Sequence, residues 1–177
     1  EIHRAKGISY AWVAVGGLHL AMGIGYGIPG TFGVFVNPLN EEMGWSRTAI
    51  SGAIAIIMFI HLLASGLWAL LAEKWSIRGI IAVSGILFSL GVFLASTADS
   101  IWQLYLYWGV IGGVGMGGFV SSLPGLVTRW FDRKRVLALG IGMAGIGVGL
   151  AILPILTERL IALDGWRLGF RVLSFIA

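Results

Sequence analysis

At 177 residues, 58% of them hydrophobic and only 11% charged, with a mean hydropathy of +0.93, the chain is too apolar for a soluble domain, whose surface carries about 25% charged residues. Its net charge of +4 does not mark a nucleic-acid partner, because most of the cations sit in alternate loops. With no cysteine, disulfides, thiolate chemistry and cysteine metal sites are excluded.

The charged residues divide the chain into long uncharged runs. An α-helix rises about 1.5 Å per residue, so roughly 20 apolar residues cross a hydrocarbon core of about 30 Å. The first run, between Lys6 and Glu41, has 34 residues and predicts a span over 10–36. It is too long for a signal peptide and is followed by further spans. His19, Gly23, Tyr26 and Gly30 are spaced four, three and four apart, so they share one helix face. Such a stripe is expected to turn from lipid toward the bundle interior or a water-filled path. Pro29 removes a backbone hydrogen bond and is expected to kink the outer third of this helix.

Between Arg47 and Glu73 lie 25 uncharged residues, predicting a second span over 48–72, on which Met58, His61 and Ser65 align. Two readings stand for His19 and His61. Either each imidazole bonds a neighbouring helix, or it is a protonatable group on a transport path, since intramembrane ionisable residues are expensive. The 20 residues between Arg78 and Asp99 predict a third span over 79–98, and the 29 between Asp99 and Arg129 a fourth over 101–127. The 22 between Arg135 and Glu158 predict a fifth over 136–156. A sixth begins near Trp166 and is expected to be incomplete over 166–177, so the chain reads as part of a longer one.

Glycine is the second compositional signal, at 28 residues. Gly113 and Gly117 in the fourth span, and Gly145 and Gly149 in the fifth, have the small-xxx-small spacing that lets helix backbones approach closely. Gly140-x-Gly142-x-x-Gly145 matches a dinucleotide fingerprint, but it follows a basic loop rather than a strand and lies inside a span, so packing explains it better. Trp12, Trp45, Trp75, Trp102, Trp130 and Trp166 fall at predicted span boundaries, where an indole prefers the headgroup zone. Strands are not expected, because the runs are uniformly apolar rather than alternating. Arg4, Lys6, Lys74, Arg78, Arg129, Arg133, Lys134 and Arg135 occupy the N-terminal segment and every second loop. Alternate loops hold Glu41, Glu42, Asp99, Glu158 and Asp164, with Arg47, Arg159 and Arg167. That asymmetry places the N-terminus in the cytoplasm.

Three stretches together resemble the major facilitator superfamily and, within it, the monocarboxylate and oxalate/formate transporter branch. They are Gly25-Tyr-Gly-Ile-Pro-Gly-Thr-Phe-Gly-Val-Phe-Val-Asn-Pro-Leu39 with Gly44-Trp-Ser-Arg-Thr48; Trp102-Gln-Leu-Tyr105 leading to Gly109-Val-Ile-Gly-Gly113; and Arg129-Trp-Phe-Asp-Arg-Lys-Arg-Val-Leu-Ala-Leu-Gly-Ile-Gly-Met-Ala-Gly145. Gly165-Trp-Arg167 also fits, and the resemblance covers almost the whole chain in order. The departures are in 69–78, where Glu73, Lys74 and Ser76 replace the usual residues of the loop between spans two and three. Glu73 and Arg78 read either as a gating ion pair or as solvated loop charges. Trp108, four residues before Gly112, stands where drug/proton antiporters carry arginine. Gly30 stands where animal monocarboxylate transporters carry lysine, so the chain looks more like bacterial members.

The resemblance implies an all-α membrane protein, with 1–177 the N-terminal six-helix half of a major facilitator fold. That half is built from two inverted three-helix repeats, its sixth helix is truncated, and a C-terminal half completes it. It implies a secondary transporter of small organic anions, monocarboxylates, coupled to protons or a counter-anion and set in the lipid bilayer of a bacterial plasma (inner) membrane. No cofactor, metal or nucleic acid is expected. No Lys, Arg, Asp or Glu lies within the five complete runs, so coupling charges are expected in the C-terminal half. This half is expected to supply the cavity wall through Tyr26, Gly30, Thr31, Tyr105, Ser121 and Ser122, with His19 and His61 also on the path. Glu73, Lys74, Arg78, Arg129, Asp132, Arg133 and Arg135 are expected in cytoplasmic gating loops. Transport of a neutral solute is the alternative. An intramembrane enzyme or a scaffold is a further one, although no carboxylate in the spans could pair with His19 or His61.

Overall fold

The computed structural model describes residues 2–128, 131 and 134–177, and the side chains of 11–125, 131 and 134–177. Arg129, Asp132 and Arg133 of the third basic loop lie outside the described residues. Helices account for the fold, with no strand among the described residues.

The first crossing is α1 (Ile2–Gly30) followed by α2 (Phe32–Met43). Pro29 lies inside α1, and the break comes two residues later at Thr31, whose N–H is shared between the carbonyls of Gly27 and Ile28 at 3.0 and 3.1 Å. The helix runs past the expected end at residue 36, because Leu39 is still buried on the bundle and holds α2 against it. Gly44 stops it at φ +69°, its N–H bonded to the Asn40 carbonyl (3.1 Å), a left-handed cap that glycine adopts without a Cβ penalty. Ser46 and Ser76 then start α3 (Arg47–Leu71) and α4 (Ile77–Ala95). Each hydroxyl accepts a first-turn N–H, from Ala49 at 3.2 Å and from Gly79 at 3.1 Å.

The fourth crossing departs from a plain helix. A capping box of Ser100 and Gln103 opens α5 (Ile101–Leu104), which passes into a π-helical segment, Tyr105–Gly112, and then α6 (Gly113–Thr128). The wide turn presses on α4 at Gly91, where a Cβ would lie 2.5 Å from the Gly112 nitrogen and 2.7 Å from the Tyr107 carbonyl oxygen. Beyond the basic loop come α7 (Arg135–Met143) and α8 (Gly145–Ile176). α8 extends well past the expected end of the fifth span at 156, carrying Glu158 and Arg159 exposed, since its own hydrogen bonds continue the helix without hydrocarbon. It bends sharply at Asp164 (φ −151°, ψ 34°) and Gly165 (φ +74°, ψ 179°), so residues 166–176 form a separate sixth segment.

Among the described residues, five helical stretches are long and apolar enough to cross a membrane: Ala11–Met43, Arg47–Leu71, Ile77–Ala95, Ile101–Gly125 and Arg135–Ile176. They pack as one bundle in which α1 lies along α8 and α7, and α6 lies between α3 and α4. Toward the end opposite the basic loops, Phe32, Phe35, Trp108, Trp166 and Phe170 form a buried aromatic cluster. The Phe35 and Phe170 rings stack at 4.0 Å, and Phe32 and Trp108 lie 5.0 Å apart. Lipid tails are as apolar as these rings, so the cluster holds through close fit rather than through exclusion of water.

Candidate functional site

Glycines bring three helices together around one polar pocket. At Gly25 of α1 a Cβ would lie 2.6 Å from Val120 and 2.9 Å from Phe119, so α1 and α6 touch there. At Gly117 of α6 a Cβ would lie 3.0 Å from the His61 carbonyl oxygen and 3.0 Å from the Ser65 nitrogen, so α6 meets α3 backbone to backbone. The next turns then face a common cavity of about 260 Å³. Tyr26 enters it from α1, His61 and Ser65 from α3, and Ser121 from α6. Met22, Val120, Pro124, Met143 and Ile146 complete its apolar wall. By chain position the pocket lies on the basic-loop side of the aromatic cluster.

Its polar groups differ in what they still offer. The hydroxyl of Ser65 donates to the Leu62 carbonyl (2.7 Å), and that of Ser121 donates to the Gly117 carbonyl. The rings of Tyr26 and His61 meet edge-on, centroids 6.0 Å apart and 82° between planes. Nδ1 of His61 is buried without a hydrogen-bond partner among the described residues, and the Tyr26 hydroxyl makes no hydrogen bond among them either. A buried polar atom left unpaired costs about 1–3 kcal/mol, a cost that Nδ1 carries beneath the cavity wall rather than on its surface.

The other residues singled out in the sequence lie elsewhere. His19 turns its Nδ1 to the Ile141 carbonyl (2.8 Å), tying α1 to α7. Thr31 is fully buried, and its hydroxyl donates to the Ile28 carbonyl in the last turn of α1 (2.8 Å), so it does not reach the pocket. Gly30 is exposed and faces Leu150 of α8. Tyr105 donates its hydroxyl to the Ala49 carbonyl (2.7 Å), joining the π segment to α3 near the far end. Ser122 is half-buried and does not line the pocket. Met58 is exposed. Glu73, Lys74 and Arg78 are all exposed, and no ion pair joins Glu73 to Arg78 here; in water such a pair gains only about 0–1 kcal/mol. Arg135 donates Nε to the Phe131 carbonyl (2.5 Å). Gly113 packs on Ile60 of α3 (2.9 Å to a Cβ), and Gly145 and Gly149 meet the α1 carbonyls of His19 and Gly23.

One cluster had no signal in sequence spacing. At the end opposite the basic loops, Arg167 bonds Glu42 (2.5 Å) and Asp99 (3.1 Å) and lies 4.2 Å over the Trp166 ring, while Trp166 Nε1 donates to Glu42 (2.9 Å). These residues come from three separate segments, and only the fold joins them. Among the described residues no group of three His, Asp or Glu side chains is placed to hold a metal ion.

Residues 10–177 match the family model described as Major Facilitator Superfamily. Human monocarboxylate transporter 2 is 27% identical over 173 residues, 98% of this chain and 36% of that protein. Human monocarboxylate transporter 6 is 30% identical over 175 residues, 99% of this chain and 34% of that protein. Mouse monocarboxylate transporter 11 is 28% identical over 158 residues, 89% and 35%. The chain thus spans about a third of the length of the curated relatives it matches.

Proposed function

The chain belongs to the Major Facilitator Superfamily and is an integral membrane protein, and on that premise we propose that the full-length protein carries small monocarboxylate anions across the membrane by alternating access. The observation that carries this reading is the pocket between α1, α3 and α6, where the Tyr26 hydroxyl has no hydrogen-bond partner among the described residues and His61 lines the wall inside otherwise uncharged spans. The relatives named monocarboxylate transporters supply the anion class. These helices act with a second six-helix half, which closes the cavity and contributes the charges that compensate the anion and couple its movement to a proton or a counter-anion. The N-terminus lies in the cytoplasm, bacterial on the reading of Gly30, and the loops bearing Lys74, Arg78 and Arg135 rearrange on that side as the halves rock.

The test is uptake by the full-length protein in proteoliposomes of lactate, pyruvate, formate and oxalate, each radiolabelled, with and without an imposed pH gradient. Saturable uptake of a monocarboxylate, reduced by Tyr26→Phe or His61→Gln, supports the reading. Uptake confined to uncharged solutes would replace it with a neutral-solute carrier.

A further inference from the structure

The hydrogen-bond polarity of the pocket selects among monocarboxylates. A serine hydroxyl has one proton to donate and two lone pairs to accept with. Ser65 has committed its proton to Leu62 and Ser121 its proton to Gly117, each within its own helix. Toward the cavity both serines can therefore only accept. Tyr26 is the opposite case, with a phenolic proton that no described group takes up. The cavity thus offers a donor at Tyr26 and acceptors at Ser65 and Ser121.

A solute matched to both kinds of group needs an acceptor-only group beside a donor. A carboxylate with a hydroxyl on the adjacent carbon meets this requirement: its oxygens accept from Tyr26, and its hydroxyl donates to Ser121 or Ser65. A 2-oxo acid presents lone pairs on both sides and turns its keto oxygen against the serine lone pairs. An unsubstituted acid leaves the serines unmet. A cavity of about 260 Å³ holds a hydroxy acid of three to five carbons, its chain against Val120 and Ile146.

We infer that Ser65 and Ser121 are specificity-determining residues that make the site select 2-hydroxy monocarboxylates over their 2-oxo counterparts. This rests on the transport reading above. One hydrogen bond of this kind is worth about threefold to tenfold in selectivity. The experiment measures lactate and pyruvate uptake in parallel, in proteoliposomes of the full-length protein, for the wild type and for Ser65→Ala, Ser121→Ala and Ser121→Thr. Taking the ratio within each variant removes differences in how much protein inserts. The expected result is a wild-type ratio of about three to ten in favour of lactate, falling toward one in at least one alanine variant and retained in Ser121→Thr. A purely structural serine would lower both rates together and leave the ratio unmoved. A wild-type ratio at or below one, or a ratio unchanged in both alanine variants, overturns the inference while the transport reading stands. No uptake of any monocarboxylate overturns both.

Discussion

Replacing Gly145 by alanine tests the α1–α8 crossing most sharply. A Cβ at this position runs into the His19 carbonyl oxygen, and the carbonyl carbon and Cα of His19 lie only 2.7 and 3.0 Å away. All of these are backbone atoms of α1, so no side chain can swing aside. Reaching an ordinary carbon contact of about 3.5 Å from 2.7 Å means the helices retreat by about 0.8 Å, a gap that forfeits a quarter to a half of each neighbouring dispersion contact. Gly149 meets the Gly23 carbonyl in the same way one turn later. Gly145→Ala should therefore cost about 2–3 kcal/mol, toward the top of the range for overpacking. Two neighbouring glycines, one on α7 and one on an open face of α8, provide the scale. At Gly142 the obstacle is the Leu18 side chain, which can rotate, and Gly142→Ala should cost about 1 kcal/mol. Gly147 has nothing within 4 Å, so Gly147→Ala should be neutral or stabilising by up to about 1 kcal/mol through helix propensity. The assay is reversible unfolding in mixed micelles at rising SDS fraction, followed by helix content. An unchanged midpoint for Gly145→Ala, or the same loss for Gly147→Ala, would refute the reasoning.

The remaining predictions concern polar groups. Trp68 donates Nε1 to the Val114 carbonyl (2.8 Å), whereas Trp108 Nε1 is buried without a partner among the described residues; both Trp→Phe changes lose packing volume, and Trp68→Phe should lose about 1 kcal/mol more than Trp108→Phe in the same unfolding assay. His19→Phe should lower stability through loss of the Ile141 bond and leave the pH profile of uptake unchanged, whereas His61→Gln should alter that profile. Arg167→Lys should not restore what Arg167→Ala loses, because lysine lacks the planar fork that bridges Glu42 and Asp99 over Trp166. The loss itself should be about 1 kcal/mol or less, since Glu42 and Asp99 are 52% and 78% exposed and solvent screens the pairs.

Much of the fold was legible because membrane crossings announce themselves by length. A run without charge reads as a helix whatever its neighbours do, and glycines four apart mark where two helices meet. Which helices meet is a different matter. Gly140 and Gly147 look like Gly145 in the sequence, yet only the backbone of α1 distinguishes them. The π turn at Tyr105–Gly112 was not legible, since uniformly apolar residues show no change of period when one extra residue enters a turn. At the site, His61 and Ser65 were visible as one face of the second span and Tyr26 as part of a stripe on the first. Sequence spacing could not show that the His19 end of that stripe packs on α7 while the Tyr26 end opens to the pocket. Thr31 and Tyr105 look like cavity hydroxyls until their carbonyl partners, Ile28 and Ala49, are seen.

The central claim is that the pocket of Tyr26, His61 and Ser121 lies on the path of a monocarboxylate. Because this chain has no cysteine, Ser121→Cys introduces a single thiol to its pocket wall. Its rate of modification by a small water-soluble thiol reagent, in the full-length protein with any cysteine outside these 177 residues replaced by serine, with and without a transported monocarboxylate, measures occupancy of the pocket directly. Bound monocarboxylate should slow labelling of Ser121→Cys, while a thiol placed by Glu41→Cys at the exposed, charged end of α2 keeps its rate. Labelling of Ser121→Cys at the same rate with saturating substrate as without it would contradict the claim.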